Sequence, residues 1–202
     1  MHEPREEHIA LCKQARDLLF LGARTANSFS DAPVPDEQVR AIYELIKYAP
    51  TSMNQQPLRI VLLRTTSARS RLVAQLAPAN KGKSEQAPLV ALLAADLHFH
   101  DTLPEVFPHA PGARDLYANS EVRERSAVFN ATLQLGYFIL GVRAAGLCAG
   151  PIVGYDEDGI NRAFFPDGSR RVIAVVNIGL PGAAPWQERL PRLSYEAVVS
   201  IA

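Results

Sequence analysis

The sequence predicts a domain in which helices cover a buried sheet, of the α/β or α+β class. Three apolar runs, at residues 58–63, 89–95 and 172–178, are typical of buried strands. Helical patterns separate these runs, and no hairpin signal joins two of them directly. With 202 residues, the chain is expected to form one domain over residues 1–202, with an excursion at about 97–119.

Composition and charge exclude several classes of protein. Lys plus Arg total 21 and Asp plus Glu total 21, so the chain lacks the basic footprint of a nucleic-acid-binding protein. Cys12 and Cys148 lie far apart, without the spacing of a zinc site or a disulfide framework. The N-terminus has charges of both signs, unlike a signal peptide. We therefore expect a cytoplasmic protein that binds no nucleic acid.

Periodic apolar residues and capping residues predict the helices. A first helix is expected over residues 6–21, closed by Gly22, with an apolar side formed by Ile9, Leu11, Cys12, Ala15, Leu18 and Leu19. A second is expected after an N-cap at Asp36, because apolar residues follow at i, i+3, i+4 and i+7, namely Val39, Ile42, Tyr43 and Ile46. Ser67 is expected to cap a third helix, and Asp156 one that runs to Phe165.

A polar loop bracketed by prolines, at residues 49–57, lies between the second helix and the first strand. Its hydroxyl and carboxamide groups donate and accept hydrogen bonds without carrying formal charge, which suits a planar, polar ligand. A well-satisfied connector between a helix and a strand would have the same composition. The local chemistry of this loop leaves both interpretations open.

Three further segments have side chains or backbone suited to a ligand. Arg24 stands among short hydrogen-bonding residues and could bind an anion, although a solvated surface arginine is the plainer interpretation. Asn80 and Lys83 stand on a glycine-containing loop that suits an anion or a polar heterocycle. Three glycines within residues 146–154 would let backbone amides approach a ligand closely.

Residues 96–119 combine histidines, aromatic residues and prolines. A metal site is one hypothesis, but His98 and His100 would need a third ligand, and only His109 is near in sequence. Lining of a substrate pocket, or plain surface, is the preferred interpretation. Residues 102–119 read as a proline-rich loop of the kind that forms a lid over a pocket.

The apolar segment at residues 127–147 is long enough to cross a bilayer. Asn130, Gln134 and Arg143 would be costly at lipid depth, and no second spanning segment could shield them. The segment is therefore predicted to be a central core helix that also covers part of a second subunit. No membrane association is expected.

The chain lacks a GxSxG nucleophile elbow, a Walker sequence and a GxGxxG fingerprint after a strand. The order of its segments instead resembles the FMN-dependent nitroreductase family, from about Arg24 to Glu196. The motifs that carry the resemblance are Arg24-Thr25-Ala26-Asn27-Ser28-Phe29, Pro50-Thr51-Ser52-Met53-Asn54-Gln55-Gln56-Pro57, Asn80 with Lys83, Gly150-Pro151-Ile152-Val153-Gly154-Tyr155-Asp156, and Arg192. Segments 80–83 and 97–108 are most similar to the branch that contains the malonic semialdehyde reductase of pyrimidine breakdown.

The resemblance implies a fold, an assembly and a set of cofactor-binding residues. The fold is an α+β sandwich with a central, mostly antiparallel sheet, assembled as a homodimer with swapped tails and FMN in the subunit interface. The residues that would hold the phosphate and ribityl chain are Arg24, Thr25 and Arg192. The loop residues that would line the flavin, partly from the other subunit, are Pro50, Thr51, Ser52 and Asn54.

The same resemblance places further residues at the edge of the flavin ring. Asn80 and Lys83 would contact the pyrimidine edge, where the Lys83 charge stabilises the anionic reduced flavin. The backbone after Pro151, at Val153 and Gly154, would reach the flavin atoms N5 and O4. The sequence departs from the family at two positions, Asn27, where the family commonly has a cation, and Val153, where it commonly has an acidic residue.

The implied activity is an NAD(P)H-dependent FMN oxidoreductase with ping-pong hydride transfer through flavin N5. NADPH or NADH would reduce the flavin, leave, and be replaced by a small acceptor, which could be a malonic semialdehyde-like aldehyde, a nitroaromatic compound or a quinone. No catalytic side chain and no metal are expected, because the cofactor carries the chemistry. Residues that could line the acceptor pocket are His98, Phe99, His100, Phe107 and Tyr117.

Two alternatives belong to other classes of protein. The first is a flavin-binding protein without turnover. The second, less favoured, is a metal-dependent hydrolase built on His98, His100 and His109.

Overall fold

The computed structural model describes residues 8–202, which form eight α-helices, four strands and several short helical turns. The α-helices are α1 Lys13–Arg16, α2 Asp36–Ile46, α3 Thr66–Gln75, α4 Pro78–Gln86, α5 Leu103–Val106, α6 Ser120–Ala144, α7 Glu157–Phe164 and α8 Tyr195–Val198. The strands are β1 Leu58–Leu62, β2 Leu89–Asp96, β3 Cys148–Ile152 and β4 Arg170–Gly179.

The four strands form one antiparallel sheet in the order β1-β2-β4-β3. The two central strands, β2 and β4, are also the most apolar runs of the sequence, and β2 is buried from Leu89 to Ala95. A strand that is buried on both faces needs apolar side chains at every position, which is why these runs do not alternate with polar residues. The predicted α+β class, with a mostly antiparallel sheet, is confirmed.

Successive side chains of β2 point to opposite faces of the sheet and enter two separate cores. Leu89, Ala91 and Leu93 pack with residues of α2 and α6, whereas Val90 and Leu92 pack with residues of α3 and α7. The sheet is therefore covered by helices on both faces. The covering residues from α2 and α6 are Ile42, Ile46, Phe138 and Val142, and those from α3 and α7 are Leu72, Val73 and Ile160.

The segment after β2 is more ordered than the sequence suggested. Residues 102–119 were expected to be a loop, but they contain α5 and a 3-10 helix at Pro111–Tyr117. Leu103 and Tyr117 are buried in a third apolar cluster beneath the N-terminal half of α6. Because several of its apolar side chains are in a core, this segment is a packed part of the fold rather than a lid made of loop alone.

The predicted first helix is largely wrong. Residues 6–7 lie outside the described residues, and the helix begins only at Lys13, continuing as a wider π-helical turn at Asp17–Leu21. Its expected apolar side is exposed in the single chain, with Leu11 at 42% and Leu18 at 45%. Helix length depends mainly on packing of an apolar face, and this face has little to pack against here. Gly22 does end the element, as predicted.

Two predicted helix caps are wrong by one or two residues. The N-cap of α2 is Pro35, and Asp36 is the first helical residue. Asp36 instead bonds to the guanidinium of Arg64. The cap of α3 is Thr65, whose hydroxyl accepts a hydrogen bond from the amide of Ala68 at 3.1 Å, so the helix begins before Ser67. The predicted cap of α7 is confirmed, because the Asp156 carboxylate accepts from the amide of Gly159 at 3.0 Å.

Two segments that were expected to be loops have regular structure. Residues 78–86, including Asn80 and Lys83, form α4, with Pro78 in the first helical turn, where its missing N–H costs nothing. Part of the glycine-rich segment is β3, a fourth strand that the sequence did not reveal. Pro151 is compatible with this strand because β3 lies at the edge of the sheet, where a missing donor is tolerated.

The long apolar helix is confirmed as α6, although it begins earlier than predicted, at Ser120. Across residues 8–202, no helix combines the length and the hydropathy needed to cross a bilayer. Several large apolar side chains of α6 remain exposed in the single chain, among them Phe129 at 63% and Tyr137 at 43%. The homodimer and its swapped tails stay predictions.

Candidate functional site

The segment around Arg24 and the C-terminal tail run side by side. The amide of Asn27 donates to the carbonyl of Pro185 at 2.9 Å, and the amide of Gly182 donates to the carbonyl of Ser28 at 3.0 Å. A short antiparallel bridge joins Phe29 and Pro181. These backbone contacts bring the two ends of the chain together, although about 160 residues separate them.

Between the two segments lies a cavity of about 290 Å³, which we call the arginine cavity. Four guanidinium groups and one carboxylate line it, together with shorter polar and apolar residues. The arginines are Arg24, Arg143, Arg189 and Arg192, and the remaining lining residues are Ala23, Thr25, Asn27, Gln187, Glu188 and Leu190. The structure thus brings together the predicted residues Arg24, Thr25, Asn27 and Arg192 at one place.

The arginines of this cavity are held by backbone carbonyls rather than by carboxylates. Arg24 donates to the carbonyl of Gln187, and Arg189 donates to the carbonyl of Leu21 at 2.7 Å. Arg192 donates to the carbonyl of Leu190 at 2.9 Å. Within residues 8–202, none of the four arginines has a carboxylate oxygen within 4.0 Å. A cluster of cations without a counter-charge favours an anionic ligand, and guanidinium groups match phosphate geometry.

The sequence did not assign Arg143 or Arg189 to this site. Arg143 lies near the end of α6, remote from both segments in sequence, and was noted only as a charge unsuited to lipid. Arg189 joins the tail to residues 21–23 through its hydrogen bonds to Leu21 and Ala23. The proximity of the tail to residue 24 is a tertiary fact that no local sequence signal could have shown.

The proline-bracketed loop at residues 49–57 is fastened to α6. The amide of Ser52 donates to the Asn130 side-chain oxygen at 2.8 Å, and the amide of Leu58, just after the loop, donates to that of Gln134 at 2.9 Å. Asn54 donates from its side chain to the carbonyl of Val106 at 2.8 Å. The polar residues that argued against a membrane helix therefore serve to position this loop.

Gln55 fixes the loop from within the protein. Its side chain is buried, donates to the hydroxyl of Tyr117, and accepts from Ser126 at 3.0 Å and from Asn130 at 3.1 Å. These bonds hold a backbone in which Met53, Asn54 and Gln56 adopt positive φ, a conformation that L-residues rarely adopt. The loop has a single, strained shape that its buried hydrogen bonds maintain.

Asn80 and Gly154, which belong to two separate sequence motifs, are in direct contact. The Asn80 side chain donates to the carbonyl of Gly154 at 3.0 Å, and the amide of Ala77 donates to the same oxygen at 3.0 Å. A Cβ at position 154 would lie only 2.8 Å from the Asn80 side-chain nitrogen, so glycine is needed for this approach. The backbone after β3 and the start of α4 thus form one polar corner.

The other predicted residues of this corner lie nearby in sequence and are accessible. Lys83 lies three residues after Asn80 on α4 and is half-buried, which places both side chains on the same side of the helix. Pro151 is exposed, and the Val153 side chain is 74% exposed. Their accessibility leaves this surface open to a ligand or to a second subunit.

A chain of buried contacts connects this corner with the arginine cavity. A Cβ at Gly150 would lie 3.5 Å from the carbonyl oxygen of Ala26 and 3.5 Å from the Cβ of Asn177. Asn177, near the C-terminal end of β4, donates to the hydroxyl of Ser84 on α4 at 3.1 Å. The segment that carries Arg24 and the helix that carries Asn80 therefore pack against the same part of the sheet.

The proposed substrate-pocket residues do not form one pocket. Phe99 is fully buried, and its ring lies 4.9 Å from that of Tyr117 in an edge-on arrangement inside the third apolar cluster. Both were wrongly expected to line a pocket, because they are core residues. The ring of Phe107 contacts that of His109, with centroids 3.9 Å apart and the planes tilted by 57°.

The two remaining histidines lie apart from the arginine cavity. The amide of His98 donates to the Asp96 carboxylate at 2.8 Å, and its side chain is exposed. Burial lowers the pKa of His100, an effect that the nearby Asp101 opposes, and the His100 nitrogen Nδ1 is buried without a partner. A neutral imidazole is a poor partner for a carboxylate substrate. Within residues 8–202, no three His, Cys, Asp or Glu side chains are grouped to hold a metal ion.

A second cavity, of about 800 Å³, was not anticipated from the sequence. It lies between α6 and the start of β4, with apolar walls from Val128, Phe129 and Leu133. At its rim, Arg171 forms ion pairs with Glu124 and Glu157. Tyr155 also lines this cavity. Burial raises its pKa to about 12, so its hydroxyl stays protonated near neutral pH.

These features can be compared with those of known proteins. The model of the nitroreductase family matches residues 21–180. The chain belongs to the nitroreductase family. A Streptomyces coelicolor protein with the provisional name NADH dehydrogenase/NAD(P)H nitroreductase is 54% identical over 193 residues, which cover 95% of this chain and 98% of that protein. A Polynucleobacter asymbioticus protein with the same provisional name is 40% identical over 191 residues, covering 95% and 97% of the two chains.

Solved structures share the fold at low sequence identity. A protein from Exiguobacterium sibiricum with the provisional name nitroreductase, solved in complex with FMN, superposes with a TM-score of 0.83 at 19% identity, covering 95% of this chain and 98% of that chain. A Staphylococcus epidermidis protein with the provisional name NAD(P)H:FMN oxidoreductase superposes with a TM-score of 0.80 at 15% identity, covering 96% of this chain and 98% of that chain. The predicted nitroreductase fold is therefore confirmed. The resemblance to the malonic semialdehyde reductase branch stays a prediction.

Proposed function

We propose that this nitroreductase-family protein is an NAD(P)H-dependent FMN oxidoreductase, with the arginine cavity as the site of the FMN phosphate. The observation that carries the proposal is the cluster of four arginines in this cavity, none of which is paired with a carboxylate within residues 8–202. Thr25 and Asn27 line the same cavity. A phosphate would supply the counter-charge that this cluster lacks. The names of the relatives and the FMN in one solved structure with this fold support the same cofactor.

The residues present fit the rest of the cofactor as well. Asn80 and Gly154 form a corner in which a Cβ would be too close, and backbone polar groups there can approach a flat ring. Lys83, on the same side of α4, would place a positive charge beside the ring edge that becomes negative on reduction. Bound FMN supplies two-electron redox chemistry between a reduced nicotinamide and an acceptor. The protein's residues bind and orient it.

The two departures from the family pattern do not remove this site. Asn27 lines the arginine cavity, and its backbone amide donates a hydrogen bond to the carbonyl of Pro185. It would offer a neutral hydrogen bond where many relatives offer a charge. At Val153 the side chain points to solvent, so the backbone around Val153 and Gly154 would make the contact.

A homodimer would complete the site. Within residues 8–202, no hydrogen bond joins the loop of Pro50, Thr51, Ser52 and Asn54 to Asn80, to Gly154 or to the arginines; the loop is fastened to α6 and α5 instead. The loop and the arginines are thus held by separate sets of contacts, and a loop supplied by a second copy would join them around one flavin. The exposed apolar side chains Phe129, Leu133 and Tyr137 on α6 support such a contact, since large exposed apolar patches mark interaction sites.

For the acceptor, we propose a nitroaromatic compound or a quinone in preference to a malonic semialdehyde. Reduction of an aldehyde needs a proton donor at the carbonyl oxygen. The histidines that could have served, His98 and His100, do not line either the arginine cavity or the large apolar cavity. A flat acceptor without a carboxylate has no group for these histidines to bind, and its reduced anion is less basic than an alkoxide, so water can supply its proton.

The proposal is tested by anaerobic stopped-flow absorbance on the purified protein. We expect a yellow protein whose flavin band is bleached by NADPH or NADH and restored by a nitrofuran or benzoquinone. Bleaching without restoration by any acceptor would favour a flavin-binding protein without turnover, and a colourless protein that takes up no added FMN would contradict the proposal.

The acceptor is tested by comparing kcat/KM for malonic semialdehyde, a nitrofuran and benzoquinone with each nicotinamide. We expect the nitrofuran or the quinone to exceed the semialdehyde by more than tenfold. The variants His98→Ala and His100→Ala should leave these rates unchanged. If the semialdehyde is the best substrate and either variant abolishes its reduction, the acceptor assignment is wrong.

A further inference from the structure

The arginine cavity contains a guanidinium that enters from a third part of the chain. Arg143 lies in the last turn of α6, where a cation is favourable beside the free carbonyls of the helix end. It lines the cavity together with Arg24 and Arg192. Its Nη1 donates to the carbonyl of Leu19 at 3.3 Å, a long bond, and its Nε is buried without any partner.

No described group neutralises Arg143. The titratable group that interacts with its charge is Cys148; burial raises the pKa of that thiol, with Arg143 opposing the effect, so the thiol is neutral near pH 7. Glu188 lines the same cavity, but its carboxylate lies beyond 4.0 Å from every guanidinium there. Burial also lowers the pKa of Arg143, because the charged form is partly removed from water. A buried donor without a partner normally costs stability, which calls for an explanation.

We propose that Arg143 binds the phosphate group of the cofactor, as a third cationic ligand beside Arg24 and Arg192. This inference rests on the proposed function. A guanidinium has five N–H donors in a fixed fork, and Arg143 uses one of them for Leu19, so donors remain for phosphate oxygens. The long helix α6 would then contribute from its middle, through Asn130 to the loop at residues 49–57, and from its C-terminal end, through Arg143 to the phosphate.

A purely structural role for Arg143 is the competing account. In that account the side chain holds the N-terminal segment through Leu19 and completes the last turn of α6. Removing it would then weaken folding, and would weaken binding of any flavin equally. Riboflavin distinguishes the two accounts, because it has the ring and ribityl chain of FMN but no phosphate.

The experiment measures dissociation constants of FMN and riboflavin for the flavin-free protein by quenching of flavin fluorescence. The variants are Arg143→Met, Arg143→Lys and, as a control for the loss of one positive charge, Arg40→Met on the exposed face of α2. We expect Arg143→Met to weaken FMN binding about 10- to 100-fold, as for loss of one charge-assisted hydrogen-bonding group. Riboflavin binding should not change, and Arg143→Lys should recover part of the loss.

Thermal unfolding of each flavin-free variant checks that it is folded. Arg40→Met should bind both flavins as the wild type does. The inference is overturned if Arg143→Met, or Arg143→Gln where the first variant does not fold, binds FMN as tightly as wild type. It is also overturned if the two flavins weaken equally. If the wild-type protein binds no flavin at all, the proposed function fails and this inference fails with it.

Discussion

The loop at residues 49–57 and the arginine cavity are both polar, yet they are stabilised in opposite ways. The loop satisfies its polar groups internally, through Gln55, Asn130 and the hydroxyl of Tyr117. The arginine cavity holds four cations without a carboxylate partner in the described chain, and Arg143 has an unpartnered Nε. The difference indicates that the loop is shaped before a ligand arrives, whereas the cavity is completed by one.

The largest effect should come from breaking the loop's internal network. Gln55→Leu removes three hydrogen bonds and leaves groups of Asn130, Ser126 and Tyr117 to find new partners, which should lower the free energy of unfolding by about 3 kcal/mol. Gln56→Leu, one residue further along, should change it by less than about 1 kcal/mol, since its side chain bonds only to an exposed carbonyl. Urea unfolding of the flavin-free variants measures both.

If Gln55→Leu is no less stable than Gln56→Leu, the loop is not held by its buried hydrogen bonds. The contrast between an internally bonded loop and an unpaired arginine cavity would then not hold.

Inorganic phosphate should stabilise the flavin-free protein through the arginine cavity alone. At a phosphate concentration ten times its dissociation constant, the expected gain is about 1.4 kcal/mol. The gain should appear as a rise in Tm relative to chloride at equal ionic strength. Arg24→Met should reduce it, and Gln56→Leu should retain it.

An equal rise in Tm for Arg24→Met and Gln56→Leu would show that phosphate acts elsewhere or only through general salt effects. In that case the four arginines would not form an anion site in solution.

A smaller effect is expected at the corner between β3 and α4. In Gly154→Ala, the new Cβ would force the Asn80 side chain away, which should weaken FMN and riboflavin binding alike by several-fold while costing less than about 1 kcal/mol of stability. Gly82→Ala on α4 has open space around the new Cβ and should stabilise the helix by about 0.5–1 kcal/mol without affecting flavin binding. Fluorescence titration and thermal unfolding separate the two variants, and a loss of FMN binding alone in Gly154→Ala would contradict a ring-edge role.

The sequence predicted the parts of the fold that depend on hydrophobic periodicity. Strands β1, β2 and β4 and helix α2 were found within a few residues, because their burial is encoded in local patterns. Helix α6 was also found, although its polar first two turns were missed. Strand β3 was missed since Gly150 and Pro151 are poor strand residues, and only the edge position beside β4 makes them compatible.

The candidate site was partly predictable for the same reason. Arg24, Asn80 and Gly154 stand in motifs that can be read along the chain, whereas Arg143 has no local motif and acquires its place only when α6 ends beside the tail. Phe99 and Tyr117 were misjudged because an aromatic residue in a proline-rich segment has the same sequence signal in a core as in a pocket.

The most direct test of the account is the ratio of the FMN to the riboflavin dissociation constant, in wild type and in the double variant Arg24→Met with Arg192→Met. The account predicts that wild type binds FMN far more tightly than riboflavin. The double variant should lose at least about 100-fold in FMN affinity, as for two charge-assisted hydrogen-bonding groups, with riboflavin affinity unchanged. An unchanged FMN affinity in the double variant would contradict the assignment of the arginine cavity to the phosphate.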